Sequence, residues 1–535
     1  MDNINNQSFT NQNYNYNQNL AGNQSNGMYR PASPNMPTYN NAYPAYAPYQ
    51  KRVVVEAPEV LDFREKMARK LLPATLIYAI FSTFCIYDNF SGITMPFFGI
   101  ATLIYMCYGL QQYDVKIKKF SWFYATIMIA LSISNFLTGN LTMLFFNNFG
   151  IILMLFVFLI HNVYDDSRWN FSKTAIAICE SFFYSFGALE DFAKDMKVLK
   201  ERSASDESSS QKKRTVRYVL IGLLISVPLV CILLLLLSAA DAVFSNLMTN
   251  YLLFNFSFVD TFGILITFAI IFFAAYSLMR CFSKKPVSED VVSHRNLEPV
   301  IAITVLSLVS VIYLVFSVIQ IVYLFLGGGQ LPDGYSYSDY AREGFFQLLA
   351  VSIINFLMVL FVNGHFKESR VLKALMTIIS LCTYIMIASS FVRIMMYIEV
   401  ALLTELRVWV LWGLTLLSIL FIAVIISIFK EKFPLFRYSI IVVSVLYAII
   451  SFAHIDYIIA DYDITYMDTI DPEIAEQDYY YIQGLSTDAA PAIAKSEDDT
   501  LIDGYLSNCK YFYKNRSWRQ FNLSAYNAEL LSGDH

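Results

Sequence analysis

The feature that most constrains this chain is the placement of Lys and Arg between its apolar runs. From Lys51 onward, the connecting segments are by turns rich in basic residues and nearly without them. A helical chain threading a bilayer back and forth leaves this pattern, because cationic connections are retained on the cytoplasmic side. Eleven apolar runs carry it, at about 71–87, 90–110, 120–138, 141–161, 216–240, 258–282, 299–326, 344–362, 371–398, 406–429 and 434–454. The longer ones suffice to cross roughly 30 Å of hydrocarbon.

Loop by loop, the alternation is regular. Lys51, Arg52, Arg64, Lys66, Arg69 and Lys70 precede the first run, and Lys116, Lys118 and Lys119 follow the second. Ten basic residues from Arg168 to Arg217 follow the fourth, and Arg280, Lys284, Lys285 and Arg295 the sixth. Lys367, Arg370 and Lys373 follow the eighth run, then Lys430, Lys432 and Arg437 the tenth. The complementary connections hold only Arg342, Arg393 and Arg407. The expected layout is an all-α polytopic transmembrane bundle of about eleven spans, N terminus cytoplasmic and C-terminal segment outside.

Composition agrees. Only 15% of the 535 residues are charged, against about 25% in soluble domains, so a water-soluble fold lacks the polar surface it needs. The seven cysteines show no zinc or CxxC spacing, and most sit in apolar runs, where Cys acts as a small hydrophobe. No cofactor and no metal are expected.

Six segments follow. Residues 1–50, rich in Asn, Gln, Tyr and Pro, read as a disordered cytoplasmic tail, with no apolar signal core, so the first span is expected to act as its own insertion signal. Residues 51–70 form an amphipathic lead-in, and 71–161 a four-span part. Residues 162–215 are a cytoplasmic linker with an interfacial helix over 174–199, whose Ile176, Phe183, Phe186 and Phe192 recur at helical spacing. Residues 216–454 are a seven-span part, with Pro228 inside a span. Residues 455–535 form a small acidic extracytoplasmic helical segment, where Ser486 and Ser524 are suited to cap helices.

Several stretches resemble a known bacterial family. They are Tyr337-Ser338-Asp339-Tyr340-Ala341-Arg342-Glu343-Gly344-Phe345-Phe346-Gln347-Leu348, Leu237-Ser238-Ala239-Ala240-Asp241-Ala242-Val243-Phe244, and the stretch from Arg393 to Arg407 with Tyr397, Thr404 and Leu406. Leu485-Ser486-Thr487-Asp488-Ala489-Ala490-Pro491 and Trp518-Arg519-Gln520-Phe521-Asn522 complete the set. Over roughly residues 70 to 531 the chain resembles domain of unknown function 4173, a family related to domain of unknown function 4153. The resemblance implies a polytopic protein of the bacterial cell membrane and brings no established activity.

Ionisable groups at membrane depth are costly and draw attention. They gather on the expected outer side: Asp241, Asp260, Arg342, Glu343, Arg393, Glu399, Glu405 and Arg407, with Tyr340 and Tyr397 beside them. Arg393 lies within an apolar run and calls for a carboxylate, with Asp241, Glu343 and Glu399 as the expected partners. Structural ion pairs locking short turns are the first reading. The functional one is an outward pocket for an anionic or zwitterionic headgroup or an envelope polymer, with the bilayer as constant partner and nucleic acid excluded.

Catalytic signals are few. The histidines are isolated, and the turn Gly327-Gly328-Gly329-Gln330-Leu331-Pro332-Asp333-Gly334-Tyr335 lacks the Lys-Ser/Thr of a phosphate loop. The uncharged segment 242–259 should lie in the outer interface. Asp88 resembles, in position only, the first-loop carboxylate of polytopic glycosyltransferases; an ordinary helix-end turn is the preferred reading. Two function classes follow: a non-enzymatic envelope interaction or signalling component or carrier, or a transferase on a lipid-linked substrate with Asp88, Asp241 or Asp260 as base.

Overall fold

In the computed structural model, the first helix, α1 (Pro58–Ile86), opens on a proline, whose missing N–H is no loss in a first turn. From Pro58 it runs without a break through the rest of the expected lead-in and the first apolar run. The structure describes residues 57–166, 169, 171–205, 233, 237, 240, 258–289, 295–322, 337–430, 433–513 and 517–534. Expectations for the tail 1–50, for Pro228 and most of the run 216–240, for Asp241 and the segment 242–257, and for the turn 327–335 lie outside the described residues.

The succeeding helices are α2 (Thr94–Gln112), α3 (Ser121–Leu137), α4 (Leu141–Val163), α5 (Phe171–Gly187), α6 (Leu189–Ser205), α7 (Phe258–Lys284), α8 (Pro299–Gln320), α9 (Tyr337–His365), α10 (Arg370–Ala401), α11 (Glu405–Phe429) and α12 (Leu435–Phe452). A set of shorter helices ends the chain: α13 (Ile455–Tyr466), α14 (Pro472–Gln483), α15 (Ala490–Ile493), α16 (Asp499–Tyr513) and α17 (Leu523–Asp534). No strand occurs among the described residues. Eight described helices, α1, α4 and α7 to α12, are long and apolar enough to cross a membrane. α2 and α3 occupy the second and third apolar runs, so ten of the eleven runs are seen as helices.

Side-chain placement is that of a multi-pass membrane protein. Ile77, Val300 and Leu308 point outward, each about two-thirds exposed, at 69%, 67% and 67%. Small polar residues such as Ser132, Ser380, Thr383 and Ser390 are fully buried between helices, where a short side chain lets backbones approach and its hydroxyl returns to the preceding turn. α1 packs on α2 and α7; α10 is held by α8, α9 and α11. The last long helix comes back to the third and fourth: Ser451 Oγ and Tyr447 Oη donate to Asn147 Oδ1 of α4 at 2.7 and 2.8 Å, and Ser134 Oγ of α3 donates to the Ser451 carbonyl at 2.8 Å.

Successive connections fall at opposite ends of the bundle. One end is basic. There Lys118 donates to the Tyr164 carbonyl, Lys373 pairs with Glu368, Lys367 N donates to the Leu297 carbonyl while Leu297 N donates to that of His365, and Arg437 stacks on Phe120. The other end carries the turns 87–93 and 138–140 and the C-terminal helices; we call it the clasped end.

The interfacial helix expected over 174–199 is two helices, α5 and α6, meeting at Ala188. On α5 the apolar residues Ile176, Phe183 and Phe186 are exposed, as an interfacial face requires. α6 does the reverse and buries acid. Asp191 and Asp195, one turn apart, lie at 2% and 0% exposure. Asp195 takes Arg64 from α1 at 2.9 Å, Arg280 from α7 at 2.7 Å and the Tyr276 hydroxyl at 2.8 Å. Asp191 takes Lys284 at 2.6 Å and Arg64 at 3.3 Å. Phe192 between them meets Phe272, Phe273 and Tyr276 edge-on.

Candidate functional site

The C-terminal helices are seated on the two turns of the clasped end by a small number of buried side chains. Asn140 caps α4, its Oδ1 accepting from Met143 N, and its Nδ2 donates to Asp456 Oδ1 at 3.0 Å. Asp456 Oδ2 receives Ser486 N at 3.0 Å. Asp488 receives Thr138 Oγ1 and Gly139 N at 2.5 and 2.9 Å and lies 3.4 Å from His454 Nδ1. A Cβ on Gly139 would stand 2.2 Å from Thr487 Oγ1, so glycine is required by the approach itself. Asn522 Nδ2 donates to the Ser91 and Thr138 carbonyls, while Gln520 and Arg519 reach the Asp88 and Phe84 carbonyls. Both C-terminal stretches quoted above, 485–491 and 518–522, are therefore the contact strips of this seam.

Between the strips a cleft of about 690 Å³ remains open. One wall is Asn140, Leu141, Thr142 and Leu144 at the start of α4; the other runs from Tyr481 to Thr487 and from Tyr505 to Cys509. Glu405 reaches it from α11.

Beside the cleft lies a strained corner between α10 and α11. Leu402 adopts φ 60°, which costs a branched residue about 1–3 kcal/mol. It is held by Arg407, which donates to the Ala401 and Leu402 carbonyls, and by Asp463, which accepts Leu403 N at 2.8 Å. The Arg407 guanidinium also covers the Tyr397 ring at 4.3 Å. Glu405 N donates to Tyr481 Oη at 2.9 Å, and Trp409 Nε1 to Glu405 Oε1 at 3.4 Å. Asp463 and Asp478 each bury an Oδ2 that finds no hydrogen-bond donor among the described residues.

Burial pushes the Asp463 carboxyl up to about 8, the Leu403 amide opposing and Asp478 adding to the rise. Burial likewise lifts Asp478 to about 6, against the pull of Arg407. Both carboxyls thus hold protons more tightly folded than unfolded. Their contribution to stability is complete below the ordinary carboxylate range and is lost as pH rises through about 6 and then about 8. Asp463→Asn keeps an acceptor for Leu403 N and removes the titration. Thermal unfolding should then lose less stability between pH 5 and about pH 8.5 than in the parent chain; equal slopes would refute the assignment.

A family model described as Domain of unknown function (DUF4153) matches residues 125–496. The chain belongs to that family. No curated protein and no solved structure matches it. The DUF4153 region takes in the 138–140 turn, the Leu402 corner, Asp456, Asp463, Asp478 and Asp488; the strip 518–522 and the first turn lie beyond it.

Of the residues singled out in the sequence, Tyr397, Glu405 and Arg407 meet in this corner, while Glu399 is exposed at its edge. Arg393 is buried in α10 against Gly344, where a Cβ would stand 3.0 Å from its Nη1; that glycine has φ +109°. Tyr340, Arg342 and Glu343 fall on the first turns of α9, with side chains outside the described residues, as is Asp241. Asp260 stands apart at the start of α7, 3.5 Å from the Tyr87 hydroxyl. Asp88 faces Gln520 Nε2 at 3.3 Å. Among the described residues no group of three or more His, Cys, Asp and Glu is placed to hold a metal ion.

Asp456, Asp463, Asp478 and Asn140 were not singled out in the sequence, and Asp488 and Asn522 stood there only within the family-like stretches. A signal was present for two of them. Ile455, Asp456, Ile459, Ala460 and Asp463 form one buried stripe of α13, so two carboxylates share the apolar face, where an unpaired charge is too costly to leave.

Proposed function

We propose that this family member is a protein of the bacterial cytoplasmic membrane with its clasped end outside, acting as a non-enzymatic envelope component that binds a partner molecule there. Within the wider family, the stretch 337–348 favours a place in domain of unknown function 4173. The observation that carries the functional reading is the seating of residues 455–534 on the 87–93 and 138–140 turns around an open cleft. A tethered independent module would not bury Asp488 and Asn522 in the turns of the bundle. The orientation rests on the basic residues at the opposite end.

The competing reading is a transferase on a lipid-linked substrate, with Asp88, Asp241 or Asp260 as base. Against it, Asp88 is turned toward Gln520, and Asp260 stands beside Tyr87 away from the cleft residues. Asp88→Asn, Asp241→Asn and Asp260→Asn are each expected to complement a deletion strain as the parent chain does. Loss of complementation at normal expression by any one would overturn the non-enzymatic reading. For orientation, a reporter active only outside the cell should be active when fused after Asp461 and silent at Ser205; the reverse would invert the layout.

A further inference from the structure

We propose that the cleft at the start of α4 is a binding site for a polyhydroxylated, non-anionic headgroup: a glycan, carried on a lipid or free. The volume, about 690 Å³, falls in the range of small-molecule sites. Its position suits a molecule half in the bilayer. Leu141, 81% exposed, and Leu144 begin an apolar span on one wall, while the opposite wall sets the amides of Gln483 and Asn508 and the hydroxyls of Tyr481, Ser486, Thr487 and Tyr505 among Leu485 and Cys509.

Charge decides the class of ligand. Among the described residues no Lys or Arg lines the cleft, whereas Glu405 and Asp456 do. A phosphate entering would meet these carboxylates, with no balancing cation among the described lining residues. The two oxygens of Asp456 are already engaged by Asn140 and Ser486, so it presents little further capacity.

The uncommitted groups match a polyol. The side chains of Asn508 and Thr142 enter no hydrogen bond among the described residues, and both line the cleft. Tyr481 Oη accepts from Glu405 N, which leaves its own proton to give. Glu405 adds a carboxylate acceptor. A sugar hydroxyl is donor and acceptor at once, and a wall alternating amide, hydroxyl and carboxylate satisfies both roles.

This inference rests on the interaction reading of the same end. Binding to purified protein does not depend on which side that end faces, so the reporter fusion and the binding experiment fail separately. The test uses the full chain in nanodiscs of phosphatidylethanolamine and phosphatidylglycerol, with monoglucosyl diacylglycerol added, and counts retained lipids by native mass spectrometry. Methyl glucoside added to the same discs, read by the shift in thermal unfolding, reports on the free sugar. The glucosyl lipid should be retained in preference to phosphatidylglycerol. Asn508→Leu with Thr142→Leu should weaken retention about tenfold, the effect of losing one or two neutral hydrogen bonds, while ligand-free unfolding is unchanged. A response to methyl glucoside as well would show that the glycan alone suffices; retention of the lipid only would assign the site to a glycolipid. Equal retention of both lipids, or double-variant binding equal to the parent, overturns the proposal.

Discussion

Asp195→Ala should destabilise the protein by about 3–5 kcal/mol, the cost of leaving buried charge without its partner. Asp195 is fully buried and is the acceptor shared by Arg64, Arg280 and Tyr276. Its removal leaves two guanidinium groups facing each other in a desolvated space, with Asp191 able to reach only Arg64 and Lys284. The measurable results are a lower unfolding temperature of the purified chain and protease cleavage within α6, which this network pins to α1 and α7. Replacing Asp195, Arg64 and Arg280 together by Leu, Leu and Met should recover most of the loss, since an apolar filling avoids the desolvation cost. An Asp195→Ala chain that unfolds with the parent would refute the network's role.

Asp488→Ala should release the C-terminal helices. It strips acceptors from Thr138 Oγ1 and Gly139 N and the counter-charge from His454, at about 3 kcal/mol or more in total. Burial alone would lift the Asp488 carboxyl. Hydrogen bonds from His454, Ser524, Thr138 and the Gly139 amide outweigh it and hold the group below its ordinary range. His454 is raised in return, chiefly by its hydrogen bond to Asp488. The Asp488 share of stability is therefore present above the unfolded carboxylate pKa and lost as pH falls through the folded one. The His454 share is complete below the unfolded imidazole pKa and lost as pH rises through its folded value. Their joint contribution is greatest between about pH 4 and 6.5. Limited proteolysis should find residues 455–534 cut faster in Asp488→Ala across that window, and His454→Ala should differ from the parent there but converge on it at alkaline pH. Cleavage of Asp488→Ala at the parental rate would sink the assignment.

The membrane helices were legible because hydrocarbon imposes a long, local signature: nearly every apolar run whose residues are described became a helix within a few positions. The seam was not. Ser486 reads as a cap, and it is one, as are Asn140 and Asn522, but other polar atoms of the same residues reach partners far away; Thr138 and Asp488 are 350 residues apart in sequence. Nothing local distinguishes a cap that faces water from one that faces another segment. The acid face of α6 illustrates the converse. Asp191 and Asp195 look like the solvated side of an interfacial helix until Arg64 and Arg280 arrive from α1 and α7 to bury them. At the Leu402 corner, Arg407 and Tyr397 were visible as candidates, whereas Asp463 was hidden in a C-terminal helix whose docking depends on the seam.

The return of α12 to α3 has a consequence for biogenesis. Asn147 and Ser134 leave the ribosome some 300 residues before Tyr447 and Ser451, the residues that complete their hydrogen bonding. Until the last long helix inserts, Asn147 Nδ2 and Ser134 Oγ hold each other at 3.2 Å, but Asn147 Oδ1 lacks both of its donors and the Ser134 hydroxyl lacks its acceptor. A nascent chain truncated before Leu435 carries this flaw permanently, a mark by which membrane proteases could tell unfinished copies from complete ones.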